Sequence, residues 1–234
     1  MILTNLKKDL EILSNSKKKK VLQSFFKTGK GEYGEGDIFI GVTVPNSRII
    51  AKKYKDLPLK DAERLLHSTV HEERLVALLI LVEKFNKIDE KEKQRIFNLY
   101  LRNTKYVNNW DLVDLSAPKI VGAYLLDRNK EILNKLAKSK SLWGKRISII
   151  STLFFISNNQ FDKALEIADV LLNDKHDLIH KAVGWTLREV GKRNQNIEEK
   201  FLKKNYKNMP RTALRYAIER FPEKLRQKYL KGEV

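Results

Sequence analysis

The sequence predicts an all-α protein built from repeated pairs of helices, and two observations support this prediction. Apolar residues recur at the three- and four-residue spacing of a helix through most of the 234-residue chain, without the sustained alternation typical of strands. A basic residue that opens an apolar helical stretch also recurs at a roughly constant interval. With 42% apolar residues, a chain of this length can bury a core and is not expected to be disordered.

The elements follow from the placement of glycine, proline and apolar residues. Residues 21–27 are predicted to be helical. The segment 28–45 is predicted to be a loop, because five of the 10 glycines lie between Gly29 and Gly41 and Pro45 closes the segment. Amphipathic helices are then predicted from the apolar positions within 75–85, 147–154 and 164–171.

The basic residues that open helices are Arg74, Arg146 and Lys181. Their separations suggest a unit of about 36 residues that contains two helices, and the same interval places Trp110 at the head of another helix. Helix pairs of this length predict a HEAT-like solenoid, an α-α superhelix with a concave basic groove, formed as a single domain over residues 1–234. An irregular helical bundle is the alternative interpretation.

The charge balance restricts the classes of partner. The chain carries 47 Lys and Arg against 29 Asp and Glu, a net charge of +18, which favours nucleic acid first and an anionic membrane second. The lack of cysteine excludes disulfides, Cys-ligated zinc and thiol nucleophiles. No apolar stretch is long enough to span a membrane, and the N-terminus lacks a signal-peptide core, so we expect a cytoplasmic protein.

Three local patterns are not expected to carry function. Residues 29–34 match G-x-G-x-x-G, but the helix before them and the continued loop after them do not fit a dinucleotide site. The pairs His67 with His71 and His176 with His180 have metal-ligand spacing without an evident third ligand. We interpret such histidines as helix caps or buried hydrogen-bonding groups, and the lysines 17–20 as a solvated face.

One constellation could carry chemistry. Asn108 can cap a helix with Asp111 as its capping partner, whereas Asp114 has no such structural role. Trp110 and Asp114 are four residues apart, so they project from the same helix face. If this face lines the concave basic groove, a lone carboxylate there indicates catalysis. In the alternative interpretation, Asp114 pairs with a neighbouring basic residue and Trp110 belongs to the core.

Five motifs carry a family resemblance. They are GEGDIFIGVTVP at 34–45, HEERLVALLIL at 71–81, WDLVD at 110–114, LWGKR at 142–146 and GWTLRE at 184–189. In this order, they resemble the DNA alkylation repair family of HEAT-like-repeat alkylpurine DNA glycosylases, of the AlkD type.

The resemblance implies a catalytic cluster of Trp110, Asp114 and Trp185. It also implies that Arg146 helps to hold DNA at that cluster, that Arg188 contacts the DNA backbone, and that Tyr33 lies near the lesion. Other basic residues are expected to contribute DNA contacts: Lys181, Arg211, Arg215 and Arg48.

The implied function is monofunctional hydrolysis of the N-glycosidic bond of N3- or N7-alkylated purines in duplex DNA, which leaves an abasic site for base excision repair. We expect a monomer that requires no metal or cofactor and binds no membrane. Two alternatives stay open from the sequence: a noncatalytic solenoid that binds distorted or damaged DNA, and a protein scaffold.

Overall fold

The computed structural model describes residues 2–234, and the described chain is helical almost throughout. Its β-type pairing is an isolated bridge between Ile38 and Val70. The prediction of an all-α helical-repeat protein is therefore confirmed. Within residues 2–234, no helix is both long and apolar enough to cross a bilayer.

The chain divides into two compact units, the first ending at Tyr124 and the second running from Leu125 to Val234. The helices of the first unit are α1 (Ile2–Ile12), α2 (Ser16–Phe25), α3 (Val44–Lys53), α4 (Leu59–Leu66), α5 (His71–Phe85), α6 (Glu90–Arg102) and α7 (Trp110–Ala117). A 3-10 turn (Thr104–Tyr106) precedes α7, and a π-helical turn (Pro118–Gly122) follows it. The short α8 (Ala123–Leu125) lies at the unit boundary.

The helices of the second unit are α9 (Glu131–Ala137), α10 (Leu142–Ser157), α11 (Asp162–Leu171), α12 (Asp177–Gly191), α13 (Gln195–Asn205), α14 (Arg211–Ala217) and α15 (Glu223–Lys231), with a 3-10 turn at Ile218–Arg220. One helix of each successive pair begins at residue 71, 110, 142, 177 and 211. These starts are 32 to 39 residues apart, close to the predicted unit of about 36. The single domain over 1–234 stays a prediction.

Helix α5 is the centre of the first unit. It is buried on nearly every side, from Leu75 to Val82 without interruption, and α3, α4 and α7 pack against it. Each large apolar side chain on α5 contributes about 1.5–3 kcal/mol through burial. Because the first turn of α5 is buried as well, its charged residues, Glu72, Glu73 and Arg74, must find partners inside the protein.

Helix α12 has the corresponding central position in the second unit, where it packs against α10, α11, α13 and α14. Gly184 sets how closely α14 approaches. A Cβ atom at Gly184 would lie 2.4 Å from the carbonyl oxygen of Ala213 and 2.5 Å from Cβ of Tyr216. The two helices therefore pack with α14 backbone directly against α12, which any larger residue at position 184 would prevent.

The glycine-rich loop ends two residues earlier than the sequence predicts, since α3 begins at Val44 with Pro45 in its first turn. The loop is tied to α5 by Glu72, whose carboxylate accepts the backbone N–H groups of Ile40, Gly41 and Val42 at 2.8–3.2 Å. Gly41 has φ +89°, a conformation that favours glycine. This clamp fixes the end of the loop beside the first turn of α5.

Candidate active site and DNA-binding residues

Helix α7 begins at Trp110 because Asn109 caps it. The Asn109 side-chain oxygen accepts the Trp110 backbone N–H at 2.9 Å. The prediction that Asn108 is the cap, with Asp111 as its partner, is therefore wrong by one residue. Asn108 instead donates from Nδ2 to Oδ1 of Asp37 at 3.2 Å. The Asp111 carboxylate contacts His71 in the first turn of α5.

Trp110 and Asp114 lie one turn apart on α7, and both are partly accessible to solvent. The residues between them, Asp111, Leu112 and Val113, are 6%, 0% and 0% exposed. The helix therefore turns its intervening face into the core and leaves an indole and a carboxylate on the accessible side, as the four-residue spacing predicts.

Trp110 is held by a stack of rings. Its indole stacks on Phe26 with a centroid distance of 5.0 Å and an interplanar angle of 13°. Phe26 stacks on Phe39 at 4.9 Å, and Phe39 stacks on the imidazole of His71 at 4.3 Å. Phe25, which is 60% exposed, meets the Trp110 ring edge-on at 5.9 Å. The stack fixes the orientation of the indole through apolar contacts.

A buried ionic network lies at the other end of this stack. His71 is 1% exposed; its Nδ1 is 3.1 Å from Oδ2 of Asp37, and its Nε2 is 2.8 Å from Oδ2 of Asp111. Arg74 donates to Oδ1 of Asp37 at 2.7 Å and to the carbonyl of Ser68 at 2.9 Å. The network thus connects the glycine-rich loop, the first turn of α5 and the first turn of α7.

The network favours the charged forms of Asp37 and His71 despite their burial. Burial disfavours the Asp37 anion, but the hydrogen bond from His71 and the charge of Arg74 outweigh burial and hold the pKa of Asp37 below its ordinary value. Burial likewise disfavours the His71 cation, but the charge of Asp111 and the hydrogen bonds to both carboxylates raise the pKa of His71. We therefore describe His71 as an imidazolium between two carboxylates.

The charge of Asp114 influences Tyr100, a buried residue of α6. Tyr100 is fully buried, and its hydroxyl is 3.0 Å from Oγ of Ser116. Burial and the nearby charge of Asp114 both raise the pKa of Tyr100, so the phenol stays neutral.

In the second unit, Trp185 lies on α12 and is partly exposed. Its Nε1 donates to Oε1 of Glu189 at 3.1 Å, one turn further along the helix. The same carboxylate pairs with Lys192 at 2.6 Å. Trp185 is thus oriented by a polar contact at its nitrogen.

Arg146 and Arg188 each have a partner inside the second unit. Arg146 is 5% exposed and donates to the carbonyl of Leu178 at 2.6 Å, which joins α10 to the first turn of α12. Arg188 pairs with Glu219 in the 3-10 turn after α14. For Arg188 to contact phosphate, this pair would have to open.

The other candidates for DNA contact lie nearer the surface. Lys181 pairs with Asp177 one turn earlier on α12 at 2.7 Å, and Arg211 is exposed while donating to the carbonyl of Leu230 at 3.0 Å. Arg215 is exposed near the end of α14. In the first unit, Arg48 is exposed on α3 and Tyr33 is half-buried in the glycine-rich loop.

The histidines outside the network have structural contacts. His176 caps α12, with Nδ1 accepting the backbone N–H of Leu178 at 3.1 Å, and His67 lies 2.6 Å from Oδ1 of Asn103. The interpretation of these residues as caps or hydrogen-bonding groups is confirmed. Within residues 2–234, no three His, Cys, Asp or Glu side chains are grouped as metal ligands would be.

No sequence pattern predicted the role of Asp37, its contacts with His71 and Arg74, or the contact of His71 with Asp111. The available signal was Asp37 itself, a carboxylate directly before the apolar stretch Ile38–Ile40 in a segment otherwise rich in glycine. Such a residue needs a partner if the stretch is buried.

The family model described as "DNA alkylation repair enzyme" matches residues 6–221. This chain belongs to that family. A solved structure described as a predicted DNA alkylation repair enzyme from Enterococcus faecalis matches with a TM-score of 0.70 and 16% sequence identity, covering 90% of this chain and 97% of the other. That likeness establishes a shared fold. A search of curated proteins gave no match.

Proposed function

We propose that this member of the family is a monofunctional DNA glycosylase that excises positively charged N3- and N7-alkylated purines, such as 3-methyladenine and 7-methylguanine, from duplex DNA. The observation that carries the proposal is the accessible pair on α7, Trp110 and Asp114, above a buried face. Family membership and the net charge of +18 support a role on DNA.

The proposed chemistry needs one carboxylate. An alkylated purine already carries a positive charge, so it departs as a neutral base with the electron pair of the N-glycosidic bond and requires little general acid, unlike the leaving groups of sugar hydrolases. Positive charge then develops on the deoxyribose. In our proposal, the Asp114 carboxylate stabilises this charge and orients a water molecule, whose oxygen bonds to C1′ while its proton passes through the carboxylate to solvent.

The two indoles provide selectivity for charged lesions. In the proposal, Trp110 and Trp185 each attract the cationic nucleoside through cation–π contact, worth about 0.5–2 kcal/mol per ring depending on desolvation. Neutral purines lack this attraction and are poorer leaving groups. No reading of base edges is required, so the enzyme should show little sequence preference.

In the proposal, contacts with the DNA backbone provide the affinity for duplex DNA. We assign them to the basic candidates Arg146, Arg188, Lys181, Arg211, Arg215 and Arg48, and assign Tyr33 to a contact near the lesion. Binding through phosphates predicts a steep decrease in affinity with added salt.

The decisive experiment measures release of free base from a duplex that contains a single 7-methylguanine, by chromatography with mass detection. We expect the wild-type protein to release the base and Asp114→Asn to lower the rate at least about 100-fold. Asp56→Asn is the matched control, because Asp56 is an exposed carboxylate of the same unit. It should retain the wild-type rate.

Wild-type release equal to the protein-free background would refute the enzyme proposal, and tight duplex binding alongside it would favour the noncatalytic DNA-binding alternative. Absence of measurable duplex binding at low salt would favour the scaffold alternative. Because the proposed mechanism uses no lysine Schiff base, borohydride should trap no covalent adduct, and a trapped adduct would contradict monofunctional hydrolysis.

A further inference from the structure

A cavity of about 440 Å³ lies beneath α2 in the first unit. We call it the α2 cavity and define it by Lys17, Lys18, Val21 and Leu22 of α2, and by Phe39, Leu75 and the segment 42–45 opposite. Its volume falls within the range of about 300–1,000 Å³ that is typical of small-molecule sites.

Both ends of α2 are fixed, whereas its middle spans the cavity. At the N-terminal end, the backbone N–H of Asn15 donates to the carbonyl of Ile40 at 3.0 Å. At the C-terminal end, Phe26 is buried in the ring stack. Among the ten residues Ser16–Phe25, none is buried, and Val21 is 66% exposed. The apolar side of this helix thus faces a space that the protein's own core does not fill.

The deep part of the cavity is apolar, and its polar groups are already engaged. Phe39 and Leu75 are 1% and 2% exposed. Glu72 accepts three backbone N–H groups, and the Asp111 carboxylate accepts from His71 and from the Leu112 backbone. A polar body such as a nucleobase would leave its own donors and acceptors unpaired there, so the lining favours an aliphatic or aryl body.

The mouth of the cavity has the opposite character. Lys17 and Lys18 line it and are both exposed, so their ammonium groups reach solvent at the opening. His71 also lines the deep part, but both of its ring nitrogens already face the carboxylates of Asp37 and Asp111. Any negative group of a ligand is therefore placed at the lysines. We propose that the α2 cavity binds a small amphipathic anion, with its apolar chain inside and its carboxylate, sulfate or sulfonate at Lys17 and Lys18.

The test uses the full-length protein and titration calorimetry with octanoate, nonanoate and decanoate. Each added methylene should tighten saturable one-to-one binding about three- to fourfold until the cavity is full. The neutral 1-nonanol, which lacks the anionic group, should bind more weakly than nonanoate. Absence of saturable binding by all three acids would overturn the proposal.

Two charge variants test whether the anionic group of the ligand binds at Lys17 and Lys18. The double substitution Lys17→Glu and Lys18→Glu should weaken decanoate binding about fivefold or more and leave 1-nonanol unchanged. Lys19→Glu with Lys20→Glu is the matched control, because it changes the net charge equally on the same helix and neither residue lines the cavity. Equal losses of decanoate affinity in the two double variants would show that only the overall charge of the protein matters. That result would contradict binding of the anionic group at Lys17 and Lys18.

The substitution Leu22→Trp tests whether the apolar chain of the ligand binds inside the α2 cavity, since the larger indole ring would fill the cavity from α2. We expect at least a tenfold loss of decanoate affinity, with an unchanged circular dichroism spectrum as the check on folding. Unchanged affinity would place the binding elsewhere. Stoichiometric displacement of decanoate by a single-stranded oligonucleotide, sensitive to Leu22→Trp, would instead identify a nucleotide as the occupant and reject the amphipathic anion. These results are independent of base release, which is measured separately.

Discussion

The two units bury carboxyl groups in opposite ways. In the first unit, His71 pairs with both Asp37 and Asp111, and Arg74 also pairs with Asp37. In the second unit, Glu198 on α13 is 1% exposed, and within the described residues its Oε1 has no hydrogen-bond partner. Burial and the neighbouring Glu199 raise the pKa of Glu198 to about 8. The first unit uses burial to position segments, whereas the second keeps a neutral acid at a cost in stability.

The largest expected effect breaks the first arrangement. Asp37→Ala leaves His71 and Arg74 without a shared anion in the core, so we expect a loss of about 3–5 kcal/mol in the free energy of unfolding. Asp177→Ala is the comparison in the second unit, since its pair with Lys181 is largely exposed; it should lose less than about 1 kcal/mol. Urea unfolding followed by circular dichroism measures both, and equal losses would remove the distinction between the units.

A smaller effect of opposite sign is expected at Glu198. Its carboxyl is protonated in the folded state up to a pH of about 8 but ionises at ordinary acidic pH when unfolded, so its contribution makes the protein less stable as pH rises from about 4.5 to 8. Glu198→Gln removes this titration and should stabilise the protein by about 1–3 kcal/mol at pH 8.

The pH dependence separates this cause from a general charge effect. Urea midpoints measured between pH 5 and 8 should have a flatter slope in Glu198→Gln than in wild type. Glu223→Gln, an exposed change on α15, should keep the wild-type slope. Parallel slopes in all three proteins would mean that Glu198 is ionised in both states.

The smallest effect concerns the ion pair between Arg188 and Glu219 in the second unit. Glu219→Gln releases Arg188 from its ion pair, and if Arg188 contacts phosphate as proposed, duplex affinity at low salt should increase about two- to fivefold. The slope of log K against log salt should steepen by up to about 0.9. Glu233→Gln has the same charge change at the exposed C-terminus and serves as the control. Equal gains in both variants would argue against an Arg188 contact.

The parts of the fold that depend on local pattern could be predicted. Apolar spacing located α5, α10 and α11, and the interval between basic helix starts gave a repeat close to the observed one. The errors were at boundaries. The α7 cap is Asn109 instead of Asn108, and α3 begins inside the predicted loop, because neighbouring polar residues of similar capping ability differ only by the geometry of the folded chain.

In the candidate site as well, features set by local sequence pattern could be predicted and features set by helix packing could not. The common face of Trp110 and Asp114 follows from four-residue helical spacing and could be predicted. The links of His71 to Asp37 and Asp111, and of Arg74 to Asp37, span 34 to 40 residues. Nothing in the local sequence around either partner encodes such a contact, since it depends on how separate helices pack. The α2 cavity likewise depends on how the helices pack around it, and the spacing of apolar residues in the sequence does not predict a cavity.

The π-helical turn at Pro118–Gly122 has a consequence for how this chain can vary. Proline lacks an N–H, so Pro118 cannot donate to the carbonyl of Asp114 four residues earlier. The wider turn that begins there adds a residue to the usual count. Deleting one residue there would restore regular winding with little rotation of the short helix that follows, whereas deleting a residue within the regular turns of α7 would rotate the helix beyond it by about 100°. Chain length is therefore less constrained at this turn than within α7, and single-codon gaps among relatives should fall here in preference to the turns that carry Trp110 and Asp114.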